Sequence, residues 1–64
     1  MNLKFGDKVK IKSGFYEGIK GIVIDYKFDI SNKYEYYLKA HKAINKYVNQ
    51  KIKIWISEDK LEKI

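Results

Sequence analysis

Alternating apolar and polar residues predict three β-strands, because a strand turns successive side chains to opposite faces of a sheet. The first strand covers residues 8–12, the second residues 34–40 and the third residues 51–57. The faces predicted to be buried carry Val9 and Ile11, then Tyr36, Leu38 and Ala40, then Ile52, Ile54 and Ile56. The opposite faces carry the polar residues and Trp55, and we expect them to face solvent.

A fourth strand is predicted over residues 22–24, where three β-branched residues follow one another without alternation. Because this run is too apolar for a strand with one wet face, we expect it to bend through the middle of a small barrel. Residues 30–33 supply the next turn, with Asn and Ser available for local hydrogen bonds. Residues 57–61 predict a 3₁₀ turn before a short last strand.

Residues 40–50 fit two interpretations. Their apolar side chains recur at three- and four-residue steps, the spacing of an amphipathic helix: Ala40, Ala43, Ile44, Tyr47 and Val48. The segment lacks a good N-cap, so an extended loop is the alternative to the short helix that we favour.

Glycines mark the first turns. Gly14, Gly18 and Gly21 are spaced four and three residues apart, as expected where a tight loop needs positive φ or a close backbone approach. The sequence Gly-Asp-x-Val-x-Ile begins at Gly6, Gly14 follows, and Gly-x-x-Gly-x-Val begins at Gly18. This pattern resembles the KOW motif of NusG-type transcription elongation factors and of several ribosomal proteins of the large subunit. The same glycines would also suit any other SH3-like barrel.

The resemblance extends more weakly to residues 54–64, which are similar to the last turn and strand of NusG-type KOW domains. It implies one SH3-like domain over residues 1–64, an all-β barrel of five strands. It also aligns Tyr16, beside Phe15, with a loop aromatic that the family uses to bind protein partners. The alternative role for Tyr16 is to close one end of the barrel.

Composition excludes several kinds of site. The chain has no cysteine and one histidine, so we expect no disulfide, no metal site and no cofactor. We find no stretch with the length and apolarity of a transmembrane helix or secretory signal, and we expect a cytoplasmic protein without membrane contact. His41 with Tyr37 or Glu35 could be drawn as the acid-base set of a small ribonuclease toxin. One histidine without arginine would make a weak nuclease, so we expect no enzyme and no small-molecule substrate.

The net charge of +6 indicates an anionic partner, although an AT-rich genome would also favour lysine. All fourteen basic residues are lysines, and residues 36–57 contain no Asp or Glu. We expect the lysines of this segment to form a phosphate-binding face: Lys39, Lys42, Lys46, Lys51 and Lys53. Because lysine lacks the planar fork of arginine, we expect contacts with the backbone and weak sequence specificity.

Trp55 is the strongest single candidate for contact with a nucleobase, since it lies on the predicted face of Lys51 and Lys53 and offers a stacking surface. Tyr37 is a further candidate on an outward face. The alternative is that residues 40–50 fold back and bury Trp55 in a second small core. The three lysines at positions 8, 10 and 12 are interpreted as an ordinary solvated strand face.

These features favour a non-catalytic module that binds nucleic acid, RNA ahead of DNA, in transcription, translation or their regulation. The alternative is a protein-interaction adaptor or inhibitor that binds a protein through Phe15, Tyr16 and Trp55. An accessory or counter-defence protein of a phage or mobile element is one version of that alternative.

Overall fold

A computed structural model describes residues 3–31, 33–43 and 45–64. The strands are β1 (Lys8–Ile11), β2 (Lys20–Phe28), β3 (Tyr34–Ala43), β4 (Asn49–Ser57) and β5 (Leu61–Lys63), and a 3₁₀ turn at Glu58–Lys60 precedes β5. They form one antiparallel sheet in the order β4-β3-β2-β1-β5. Within the described residues β4 and β5 do not pair with each other, so the sheet is open. The predicted all-β class, the five strands and the 3₁₀ turn are confirmed.

The core lies on one face of the sheet, as the alternation predicts. Its buried side chains are Leu3, Val9, Ile11, Val23, Tyr36, Leu38, Ala40, Ile56 and Leu61. Ile54 from β4, with Tyr16 and Ile19 from the β1–β2 loop, packs against this cluster. The opposite face of β1 to β4 carries no covering layer among the described residues and is solvated.

The prediction of a short helix over residues 40–50 is wrong. β3 continues to Ala43 and β4 begins at Asn49, so the segment forms the end of a β-hairpin. Pairing along this hairpin satisfies backbone groups that a short helix without an N-cap would leave unpaired. Ile44, one of the residues that produced the helical spacing, lies outside the described residues.

A side-chain turn links the two strands. The Asn45 carboxamide oxygen accepts hydrogen bonds from the backbone N–H of Tyr47 at 2.8 Å and of Val48 at 3.0 Å. Asparagine is common in turns because its short side chain can bond the backbone two residues ahead. The local hydrogen bonding of Asn45 is therefore the signal in this segment that indicates a turn.

β2 is not buried on both faces, contrary to the expectation for residues 22–24. Ile22 is 42% exposed, whereas Val23 is 1% exposed. A β-bulge between Val23 and Asp25 places one extra residue in β2 relative to β3. The Asp25 carboxylate accepts the backbone N–H of Tyr26 at 2.8 Å. In the apolar run, Val23 is thus buried, Ile22 is solvated and Ile24 is the extra residue of the bulge.

The glycine expectations are confirmed. Gly6, Gly14 and Gly18 have φ angles of 91°, 90° and 90°. Gly21 is needed for a different reason: a Cβ built there would lie 3.0 Å from the carbonyl oxygen of Lys39 and 3.1 Å from the Cβ of Ala40. Neighbouring strands therefore approach too closely at position 21 for any other residue to fit without a shift.

Candidate nucleic-acid interface

The solvated face of the sheet carries two rows of residues that cross its strands. The first row runs from β1 to β4 through directly paired positions: Lys8, Ile22, Lys39 and Lys53. The adjacent row consists of two directly opposed pairs: Lys10 with Lys20, and His41 with Lys51. Together the lysines of both rows form the lysine face: Lys8, Lys10, Lys20, Lys39, Lys51 and Lys53.

Like charges oppose one another within the lysine face. Lys39 lies directly opposite Lys53, and Lys10 lies directly opposite Lys20. Directly opposed like charges destabilise a sheet. Among the residues that the structure describes, none of the six lysines lies within ion-pair distance of a carboxylate. The repulsion within the lysine face is therefore not relieved by internal ion pairs.

Acidic residues lie at the margins of this surface. Glu62 on β5 pairs in register with Lys10, and Asp25 in the bulge lies opposite Tyr37. Glu35 is engaged by Lys27, whose Nζ lies 3.6 Å from its Oε2. The centre of the lysine face, over β2, β3 and β4, is free of carboxylates at its paired positions.

Trp55 and Tyr37 extend the lysine face toward one end of the sheet. They lie opposite each other on β4 and β3, and their rings stack with centroids 4.7 Å apart and planes 25° apart. The Nζ of Lys27 lies 4.5 Å from the centroid of the Trp55 ring. Trp55 keeps 40% of its surface exposed. The described residues of the segment 40–50 do not bury it, because they continue the hairpin instead of folding back.

Lys42 and Lys46 do not join the lysine face. Lys42 is one position out of phase with His41 on β3, and its Nζ lies 5.4 Å from the Phe15 ring centroid. Lys46 lies in the β3–β4 turn, with its Nζ 5.0 Å from the Tyr47 ring centroid. The charged segment singled out in the sequence is thus divided between two regions.

Other lysines replace them. Lys8 and Lys10 share the face with Lys39, although the sequence favoured a merely solvated role for them. Lys20 was not identified from the sequence at all. Its signal was available in the phase of β2, because a buried Val23 places positions 20 and 22 on the solvated side.

A groove with an apolar floor lies within the lysine face. Its volume is about 390 Å³, and the exposed side chains that line it are those of Lys8, Lys20, Ile22, Lys39, His41 and Ile64. Apolar surface with a few polar groups at its margin is typical of small-ligand sites. The groove therefore combines a cationic rim with a surface that can contact a flat apolar group.

His41, Tyr37 and Glu35 do not form a compact acid-base set. They share one face of β3, but His41 lies six positions after Glu35, which corresponds to about 20 Å along a strand. Direct proton transfer among all three side chains would need hydrogen-bond distances between them. This strand geometry therefore does not support an acid-base set like that of a small ribonuclease toxin.

The β1–β2 loop presents Phe15 and not Tyr16. Phe15 is 86% exposed, whereas Tyr16 is half-buried and packs against the core. The two rings meet edge to face with centroids 4.9 Å apart. This packing agrees with the alternative role of Tyr16, the closing of one end of the core.

The groups with perturbed pKa values lie away from the lysine face. The backbone N–H of Lys4, 2.8 Å from Oδ2, lowers the pKa of Asp7, and Lys63 adds to this effect. The Ser31 hydroxyl, 2.7 Å from Oδ1, lowers the pKa of Asp29. Burial raises the pKa of Tyr36 in the core. These shifts accompany turn and core structure.

Comparison with known proteins found no matching protein-family model, no similar curated protein and no similar solved structure. In the part of the chain that the structure describes, no helix is long and apolar enough to cross a membrane. No group of three or more His, Cys, Asp or Glu side chains in that part could hold a metal ion.

Proposed function

We propose that the protein is a non-catalytic nucleic-acid-binding module whose lysine face holds the phosphate backbone. The observation that carries this proposal is the direct opposition of Lys39 and Lys53, which has no carboxylate at its paired positions, next to a second opposition of Lys10 and Lys20 whose only paired carboxylate is that of Glu62. This arrangement costs stability in the free protein, and a polyanion would relieve the repulsion. Phosphates would bind at successive lysines and release counterions.

Weak sequence specificity is expected of this surface. Lysine contacts phosphate as a point charge and lacks the bidentate geometry with which arginine reads guanine. The stacked pair of Trp55 and Tyr37 offers a surface of the kind on which single-strand binders stack bases. The KOW resemblance favours RNA over DNA as partner and a role in transcription, translation or their regulation.

We further infer an SH3-like barrel that is left open between β4 and β5. The strand order and the 3₁₀ turn before β5 support this inference. The positive φ angles of Gly14 and Gly18 and the close approach at Gly21 support the KOW-like reading of the first hairpin.

A salt titration of binding to single-stranded RNA tests the proposed function. The log-log slope should correspond to about 3 to 5 phosphate contacts, and Lys39→Gln with Lys53→Gln should reduce it by about two. Lys42→Gln with Lys46→Gln is the matched control, because it removes the same charge away from the face. Salt-independent binding, or equal slope losses in both double variants, would argue against the lysine face as the binding surface.

A protein-interaction role is the second candidate, favoured by exposed aromatic residues away from the lysine face. Phe5 is 79% exposed, Tyr26 is 61% exposed and Phe28 is 54% exposed. Tyr26 and Phe28 belong to an aromatic cluster with Tyr34, and the Phe28 and Tyr34 ring centroids lie 4.7 Å apart. A pull-down from nuclease-treated and untreated lysate separates the two candidates, since partners retained after digestion would favour the adaptor.

A further inference from the structure

Ile22 is an exposed apolar residue in the middle of a cationic surface. It is 42% exposed, and its in-register neighbours on the solvated face are Lys8 on β1 and Lys39 on β3. Lys20 lies two positions away on the same side of β2. Phosphate alone gains nothing from this isoleucine, whereas a ligand with an apolar part would be stabilised by covering it.

The groove around Ile22 has dimensions and chemistry that suit a nucleobase. Its volume of about 390 Å³ lies near the lower end of the range of small-ligand sites. Its apolar side chains are those of Ile22 and of the exposed Ile64, and the rim carries three lysines and His41. A flat ring can lie on these apolar side chains while the attached phosphates reach the lysines of the rim. A simple anion would contact only the lysines, and a purely apolar ligand would contact only the apolar side chains.

We propose that this groove holds one unpaired nucleobase of a bound strand, with its flanking phosphates at Lys20 and Lys39. This inference rests on the proposed function and narrows its partner to single-stranded nucleic acid. A base held in a duplex is stacked on both sides and cannot lay its ring on Ile22.

Trp55 provides a second base position on the same face. From Ile22 to Trp55 there are two strand spacings and one two-residue step, a separation of about 12 Å. Lys39 lies between the two positions, directly opposite Ile22 and two residues from the stacking partner Tyr37. The strand would therefore contact apolar surface at two points and charge between them.

The test compares single-stranded RNA with a duplex of the same sequence, using the wild-type chain, Ile22→Ala and Ile22→Thr. Wild type should prefer the single strand, and Ile22→Ala should weaken single-strand binding about fivefold without changing the salt slope. Ile22→Thr keeps the β-branched shape and guards against a folding effect, and it should also weaken binding. Ile30→Ala is the matched control, because Ile30 is fully exposed in the β2–β3 turn.

Methyl NMR gives an independent readout. A base lying on Ile22 should shift its methyl resonances upfield through the ring current, whereas the methyls of Ile30 should not move. Adenosine monophosphate as a separate probe distinguishes a site for free nucleotides from one that needs a strand: the proposal expects a larger shift with the oligonucleotide. Equal wild-type affinity for single strand and duplex, or unchanged single-strand affinity of Ile22→Ala, would overturn the base site and leave phosphate binding intact. Absence of any nucleic-acid binding would overturn both proposals.

Discussion

Lys39 and Lys53 lie directly opposite each other in the β3–β4 ladder, on the solvated side of the sheet. Lys53→Glu converts this repulsive pair into an attractive one, so the free energy of unfolding should rise by about 0.5 kcal/mol. The same change should weaken RNA binding. Urea unfolding and a binding titration measure the two effects. Lys46→Glu makes the same charge change in the turn and should leave stability nearly unchanged, so a destabilised Lys53→Glu chain would contradict the repulsion argument.

Position 21 should tolerate no side chain larger than hydrogen without loss of stability. Gly21→Val places branched carbons against the Lys39 carbonyl oxygen, 3.0 Å from the Cβ position, and should cost several kcal/mol of a total that is small in a domain of this size. Gly21→Ala should cost about 1 to 3 kcal/mol, and the further change Ala40→Gly should restore part of it by removing the Cβ that lies 3.1 Å away. Thermal melts measure these effects, and a Gly21→Val melt close to wild type would refute the close approach.

Trp55 should contribute to affinity through stacking and not through charge. Trp55→Ala should cost about 1 to 3 kcal/mol of binding free energy and leave the salt slope nearly unchanged. It also removes the stack with Tyr37, so Trp55→Phe serves as the control that keeps an aromatic pair. Fluorescence provides a direct check, because a 40% exposed tryptophan at the site should be quenched by added RNA. Tryptophan emission that does not change when RNA is added would show that Trp55 is not part of the interface.

Tyr36 should make the protein sensitive to alkali. Burial raises its pKa in the folded chain above the value of about 10 that the unfolded chain has. The unfolded state therefore releases the proton first, and the stability present below pH 10 is lost as pH rises through the folded pKa. Urea unfolding at increasing pH should show a smaller alkaline loss for Tyr36→Phe than for wild type. Tyr47→Phe, at an 82% exposed position, should follow wild type, and an identical loss in all three proteins would place the effect elsewhere.

The sequence was sufficient to predict the features that depend on local alternation. Val9 and Ile11 are fully buried as their alternation with lysine predicted, and Ile56 and Trp55 lie on the expected faces of β4. Gly18 was likewise readable, since positive φ is a property of one residue and its own backbone.

Features that depend on pairing between strands were not readable in the same way. The apolar spacing at residues 40–50 is that of a helix, but the strand pairing of β3 with β4 determines the structure there. That pairing depends on residues that are distant in the sequence. The phase of β2 indicates which side Lys20 faces, but its place opposite Lys10 depends on how β2 pairs with β1. Charge counting along the chain could not supply this pairing and placed Lys42 and Lys46 on the face instead. Grouping of charges across a sheet follows register, which composition does not record.

The β-bulge between Val23 and Asp25 gives β2 one residue that its pairing with β3 does not require. On the turn side of the bulge, Tyr26 pairs in register with Tyr36, and Phe28 with Tyr34, on the core side of the sheet. Deletion of Ile24 would leave Val23, Asp25 and Tyr26 opposite Leu38, Tyr37 and Tyr36 in an uninterrupted ladder, so the aromatic rings would keep their side. Deletion of Lys27 has no bulge to absorb it and would move Phe28 to the solvated side. In a collection of random variants, deletion of Ile24 should therefore be found among folded proteins far more often than deletion of Lys27.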